Sequence, residues 1–204
     1  ASDPNNIEVL IRADEDDQPT LDFYNNQIKI LPDNVPMNVL MLVGKRPKNL
    51  HESMNYMAKH SIGEYIFILN DDVVFLTKDW DKIAYEKLES AKTKDGILYG
   101  KTYDTSVDRP PGGEYSSFPV VSRSAFNTLG FVMHNDFVGL GGDSAIFRVY
   151  RAINRVVDLT DIQLDHTLHN EISKVLIPDL TAYHMRLNSA KNLVDPTTLD
   201  VSKD

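Results

Sequence analysis

The stretch Glu64-Tyr65-Ile66-Phe67-Ile68-Leu69-Asn70-Asp71-Asp72-Val73-Val74-Phe75 constrains the fold of this chain more than any other. Its apolar residues run without a break from Tyr65 to Leu69, a carboxylate pair follows, and apolar residues then resume. Such a run predicts a strand buried on both faces, the habit of central parallel strands in α/β proteins. Ending it on two adjacent carboxylates is costly unless a cation or hydrogen bonds compensate. Ligands in open α/β sheets bind beyond the carboxyl ends of strands, where Asn70, Asp71 and Asp72 would stand. The same residues also suit a turn or a helix cap. Local pattern leaves both roles open.

The flanking sequence supplies the context. Ile7 to Arg12 has strand character and runs into Ala13-Asp14-Glu15-Asp16-Asp17, a second β-rich run that ends in acids. Residues 18–34 predict irregular chain with a short helical turn around Leu21 to Tyr24. Met37 to Val43 is another β-type run, closed by Gly44-Lys45-Arg46-Pro47. A helix can begin at Pro47, with Leu50, Met54 and Met57 on one face and Gly63 as its C-terminal cap. Strand, helix and strand with short connections form the signature of a βαβ unit and a parallel sheet.

Beyond Phe75, Thr77 is a good N-cap for a helix whose stripe is Trp80, Ile83, Ala84, Leu88 and Ala91. Gly96 to Gly100 reads as a short strand. Residues 104–117 have the strongest loop composition in the chain, the habit of lids and binding loops. Phe118 to Ser122 reads as a strand, and Ser124 to Leu129 as a short helix stopped by Gly130. Gly141-Gly142-Asp143 leads into a helix with apolar positions at Ile146, Val149, Tyr150 and Ile153, and Asp143 would cap or open it. Late in the chain, His166 and His169 can share a helix face or bracket a turn, and imidazole suits a divalent transition metal.

Composition narrows the partners. A chain of 204 residues fits one medium domain, and no cysteine is present for a disulfide or thiolate site. That absence, with no leader-like segment and no transmembrane-length apolar run, leads us to expect a cytoplasmic protein. The net charge of −9 argues against nucleic acid as a partner. An anionic ligand would need a metal ion or a focused basic cluster.

Taken in order, these segments resemble a GT-A nucleotide-sugar glycosyltransferase of the family 2-like group. Asp14-Glu15-Asp16 resembles the segment whose acid meets the nucleotide base. Arg46 through Asn55, followed by Gly63-Glu64-Tyr65-Ile66, resembles the helix and glycine that lead to the metal strand. Asn70-Asp71-Asp72 stands at the DXD motif, with Asn70 where the family commonly has Asp. Phe118 to Arg123 looks like the strand entering the acceptor side, and Gly141-Gly142-Asp143 looks like the acidic motif that opens the acceptor helix. His166 or His169 falls where a late histidine completes the metal site. The resemblance spans roughly residues 7–185.

That resemblance implies a mixed, mainly parallel sheet flanked by helices in a single domain covering residues 1–204, in which the family's first strand–helix unit has no counterpart at the N-terminus. It implies transfer of a hexosyl or deoxyhexosyl group from a nucleoside-diphosphate sugar, a UDP-sugar favoured, to a hydroxyl of a saccharide or glycan, with inversion. Mn²⁺ or Mg²⁺ would be held by Asp72 with His166 or His169, and through water by Asp71. Asp14 and Asp16 would meet the nucleoside, Asn70 the ribose, and Lys45 and Arg46 the phosphates. Asp143 would be the general base. The loop 104–117 would close over the donor and exclude water.

Three other readings are weighed. A haloacid-dehalogenase-type phosphatase needs a nucleophilic Asp where Asn70 stands. A sugar nucleotidyltransferase shares the sheet and the nucleotide chemistry. A non-catalytic carbohydrate-binding domain on the same scaffold would show no turnover.

Overall fold

The computed structural model describes residues 1–28, 38–106, 115–137 and 141–166. The chain is mixed α/β, and the described residues build two sheets. In the first, β1 (Glu8–Asp14) pairs in parallel with β2 (Asn38–Gly44), and a short helix, α1 (Gln18–Phe23), lies between them in sequence. The second contains β3 (Tyr65–Phe67), β4 (Val74–Phe75), β5 (Tyr99–Asp104), β6 (Val120–Ser122) and β7 (Val156–Asp165), in the order β3-β6-β5-β7-β4. Only β5 and β7 run parallel there; β3·β6, β6·β5 and β7·β4 are antiparallel. The sheet is therefore mixed but not mainly parallel. The expected βαβ unit also divides, because β2 and β3 flank one helix yet belong to different sheets.

Helices cover both faces of the larger sheet. Successive strand residues alternate between the faces. Leu98 and Val120 join Leu88, Phe118, Leu159, Ile162 and Leu164 on the side of α3 (Trp80–Ser90). Tyr99 and Val121 turn the other way, to Ala58, Ala125, Ile146, Phe147 and Tyr150. Those partners come from α2 (Leu50–His60), α4 (Arg123–Leu129) and α5 (Gly142–Ala152).

The helices form where the spacing predicts them, but Leu50 of the α2 stripe and Ile153 beyond α5 are exposed, the buried residues of α2 are His51, Ser53 and Ala58, and the helix ends differ. The N-cap of α2 is Asn49, whose side chain accepts from the Glu52 amide at 2.9 Å, and Pro47 stays outside the helix. The same helix stops at Ser61 in extended conformation, so Gly63 does not cap it. Thr77 is not the cap of α3. Asp79 stands there with φ 55°, while the Thr77 hydroxyl donates to the Asp161 carbonyl and accepts from the Gln163 amide, both at 2.8 Å. Trp80 is core as expected, stacked 4.1 Å from Phe75. Gly130 ends α4 at φ 79°, a conformation glycine adopts without steric cost.

The expected central strand is an edge strand. β3 keeps three hydrogen-bonded residues, each half-buried, and its one partner among the described residues is β6. Ile68 is nonetheless buried, and its amide donates to the Pro119 carbonyl at 3.0 Å. The expected burial on both faces is met only at Ile68, because an edge strand leaves Tyr65, Ile66 and Phe67 half-buried. The strand expected at Gly96 to Gly100 begins at Tyr99 and runs to Asp104, into what the composition marked as loop. No strand was expected over Val156–Asp165, which forms β7, the longest strand described. Among the described residues no helix is long and apolar enough to cross a membrane.

Candidate functional site

β6 is antiparallel to both β3 and β5, and β7 is parallel to β5, so β3, β5 and β7 run in one direction. Their carboxyl ends open on one edge of the sheet. Asn70-Asp71-Asp72 follows β3 there, Asp104 closes β5, and His166 directly follows β7. This is the edge at which open α/β sheets place ligands.

The short strand β4 brings two of these residues together. Val74 pairs with Asp165 and Phe75 with Leu164, antiparallel, so the residues just before Val74 run alongside those just after Asp165. Nε2 of His166 lies 2.9 Å from Oδ1 of Asp72, with side chains only 9% and 18% exposed. Despite that separation, Asp72 Oδ1 is buried without a hydrogen-bond partner. The two atoms are at ion-pair distance, but the approach is not along a hydrogen-bond direction. Adjacent ligands of an octahedral ion with bonds of about 2.1 Å stand about 3.0 Å apart. A carboxylate oxygen and an imidazole nitrogen converging in this way fit a shared divalent cation. The Phe118 ring meets the His166 ring edge-on at 5.1 Å and helps fix it.

Other parts of the expected metal site stand apart or out of view. Asp71 is exposed and Asn70 half-buried, and His169 lies outside the described residues. His166 follows a strand, not a helix. Among the described residues no three His, Cys, Asp or Glu side chains gather to hold a metal. A cation bound by Asp72 and His166 would complete its shell with phosphate oxygens and water, the usual habit of Mg²⁺.

A second cluster forms where parallel β1 and β2 end. Arg46 Nε lies 3.4 Å from Asp14, and its terminal nitrogen 3.2 Å from Asp16. The sequence reading gave the acids to the nucleoside and the arginine to the phosphates; the structure joins all three, so the Arg46 charge is already engaged by carboxylates. Lys45 contributes its carbonyl oxygen, which with those of Ala13 and Gly44 accepts from Arg12. The Arg12 guanidinium in turn lies over the Tyr56 ring at 5.4 Å.

Asp143 opens α5 without capping it. Gly141 is the N-cap residue, at φ 86°, and Asp143 Oδ1 accepts from the Ser144 amide at 2.7 Å. A carboxylate in the first turn is favoured by the partial positive charge of the helix N-terminus. The approach to it is held by α2. Asn55 accepts from the amides of Val132 and Met133 and donates to the Met133 carbonyl at 2.7 Å. One turn earlier, buried His51 puts Nδ1 3.1 Å from the His134 carbonyl and packs its ring onto Gly142. Burial pulls the His51 imidazole below its ordinary titration range, against the opposing pull of the His134 and Phe137 backbone.

Sequence reasoning passed over His51, Asn55 and Asp104. The first two carried a usable signal, since they stand four apart on a single face of a helix and could clamp one partner segment. Asp104 is only 7% exposed, and its Oδ1 accepts from the amide and hydroxyl of Ser106. Its position among loop-type residues hid it. The expected lid is described only at its two ends, residues 104–106 and 115–117. The sequence matches no protein-family model and has no significant match among curated proteins.

Proposed function

We propose that this chain is a metal-dependent glycosyltransferase of GT-A type, moving a sugar from a nucleoside-diphosphate donor, a UDP-sugar favoured, to a hydroxyl of a saccharide or glycan. The observation that supports the reading is the Asp72–His166 pair, a carboxylate oxygen and an imidazole nitrogen 2.9 Å apart at the carboxyl edge of the sheet, the oxygen buried without a hydrogen bond. Mn²⁺ or Mg²⁺ bound there would offset the charge that develops on the departing diphosphate. Asp14 and Asp16, fixed by Arg46, supply acceptors for the nucleoside hydroxyls or base. The acceptor hydroxyl oxygen bonds to the anomeric carbon as the bond to the phosphate oxygen breaks. The electron pair leaves with the diphosphate, the hydroxyl proton passes to Asp143, and configuration inverts.

Thermal melting of the intact chain tests this. Mn²⁺ together with one of UDP, GDP or dTDP should raise Tm by several degrees at ligand concentrations about a hundredfold above Kd. Asp72→Ala should abolish the rise. An unchanged curve with all three nucleotides would overturn the proposal. Asp143→Asn separates a transferase from a binding module, because it should remove turnover and leave the nucleotide-induced rise intact.

A further inference from the structure

Two core hydroxyls have no packing reason to exist. Tyr99, the first residue of β5, is 0% exposed, and Tyr150 on α5 is 1% exposed. Neither phenol oxygen has a partner at full hydrogen-bond geometry, although the Ser116 backbone comes near enough to that of Tyr99 to favour its ionised form slightly. Their rings lie 5.1 Å apart, and Tyr99 also meets Phe147 at 5.8 Å. Phenylalanine would fill either place and spare the roughly 1–3 kcal/mol that an orphaned buried hydroxyl costs.

Tyr99 packs against one face of α5. Asp143, Phe147 and Tyr150 are spaced i, i+4, i+7 and share one face of α5. The Tyr99 ring packs against Phe147 and Tyr150 on that face, and Asp143 stands on it one turn before Phe147. Burial first, then the charge of Asp143, raises this phenol well above its ordinary range, with Tyr150 and Tyr115 acting in the same direction and the Ser116 backbone opposing. Such a phenol stays neutral and remains an O–H donor across the pH range of a working enzyme. The charged and titratable groups acting on Tyr99 are thus Asp143 and Tyr150 from α5 and Tyr115 from the segment before β6, while His51 from α2 lies beside Gly142, next to Asp143 in sequence.

We propose that Tyr99 is a positioning residue for Asp143: its buried O–H donates toward the Asp143 carboxylate, directly after a small ring shift or through one bridging water shared with Tyr150, and holds that carboxylate oriented and ionised. A water there would have the two to four polar partners that buried waters need. The proposal deepens the reading of Asp143 as the transferase base, but its first test does not depend on that reading.

That test is a ¹³C-carboxyl NMR titration of Asp143 in the full chain. Tyr99→Phe should move the Asp143 midpoint upward by about half a unit or more, because losing a donor disfavours the ionised form. The urea midpoint should stay level or rise. Fluorotyrosine at position 99, a stronger donor of the same shape, should move the Asp143 midpoint downward, and it serves as the test should the phenylalanine variant not fold. An Asp143 midpoint unmoved by either change overturns the proposal and leaves the phenols as core filling. In a transfer assay, Tyr99→Phe should lower kcat severalfold with the donor KM unchanged, and the acidic limb of the pH profile should follow the NMR midpoint. A moved midpoint in a protein with no transfer activity would support the Tyr99 assignment and count against the transferase.

Discussion

His51 and Gly142 share a space that admits no methyl group: a Cβ on residue 142 would lie 2.4 Å from His51 Cε1 and 2.8 Å from Nε2. Gly142 carries no left-handed φ, so the demand is for room and not for backbone freedom. Gly142→Ala should cost about 1–3 kcal/mol in urea unfolding. In a His51→Ala background the same change should cost far less, because the ring that blocks it is gone. Equal costs in the two backgrounds would show that the overlap relaxes elsewhere.

The same histidine gives stability a pH dependence. Its folded-state pKa is depressed by burial, so the unfolded chain binds the proton more readily. The contribution is complete above the unfolded value of about 6.5 and is lost as pH falls below it, until folded His51 itself protonates. Urea midpoints measured from pH 7.5 down to 5 should therefore fall, and His51→Gln should flatten that slope.

Asp72 should show a trade between stability and function. Its buried oxygen without a hydrogen-bond partner is a cost in the ligand-free chain. Asp72→Asn removes the charge and can donate from its amide, so the ligand-free protein should gain about 1 kcal/mol. The same variant should lose the Tm response to Mn²⁺ with nucleotide. A variant less stable than its parent would mean that the Asp72–His166 contact is a stabilising ion pair.

Arg123 ties the connection between α2 and β3 to α4. It donates to the Ala58 carbonyl at 2.9 Å, twice to the Gly63 carbonyl and once to the Ser61 hydroxyl, and its guanidinium lies 5.5 Å over the Phe126 ring. Arg123→Ala should cost about 2 kcal/mol or more in chemical unfolding. Arg123→Lys should recover little of it, because an ammonium cannot reproduce the planar fork.

What could be read from the sequence follows from the range of each signal. The existence of α2, α3 and α4 was legible, since helical spacing and a stopping glycine are local patterns and need no knowledge of partners. The acids at the ends of β1 and β3 were legible as candidates for the same reason. Pairing was not: that β3 lies at an edge, that β2 and β3 part into two sheets, and that β7 continues through Asp158 and Asp161 depend on contacts distant in sequence. Thr77 shows the limit at one residue. Its hydroxyl suits a helix cap, but β7 offered it two backbone partners, and tertiary contact overrode local preference.

The register of β4 against β7 carries a consequence for how the site comes to exist. Asp72 and His166 lie far apart along the chain and meet only when Val74 and Phe75 zip onto Asp165 and Leu164, a two-residue strand at the margin of the sheet. Contacts of such long sequence separation close late in folding, and short marginal strands are among the first to open again. A chain that frays there keeps its helices, yet loses the contact between Asp72 and His166. Competence for a ligand is in this sense a property of the weakest strand, and a ligand that bridges the pair would latch it shut.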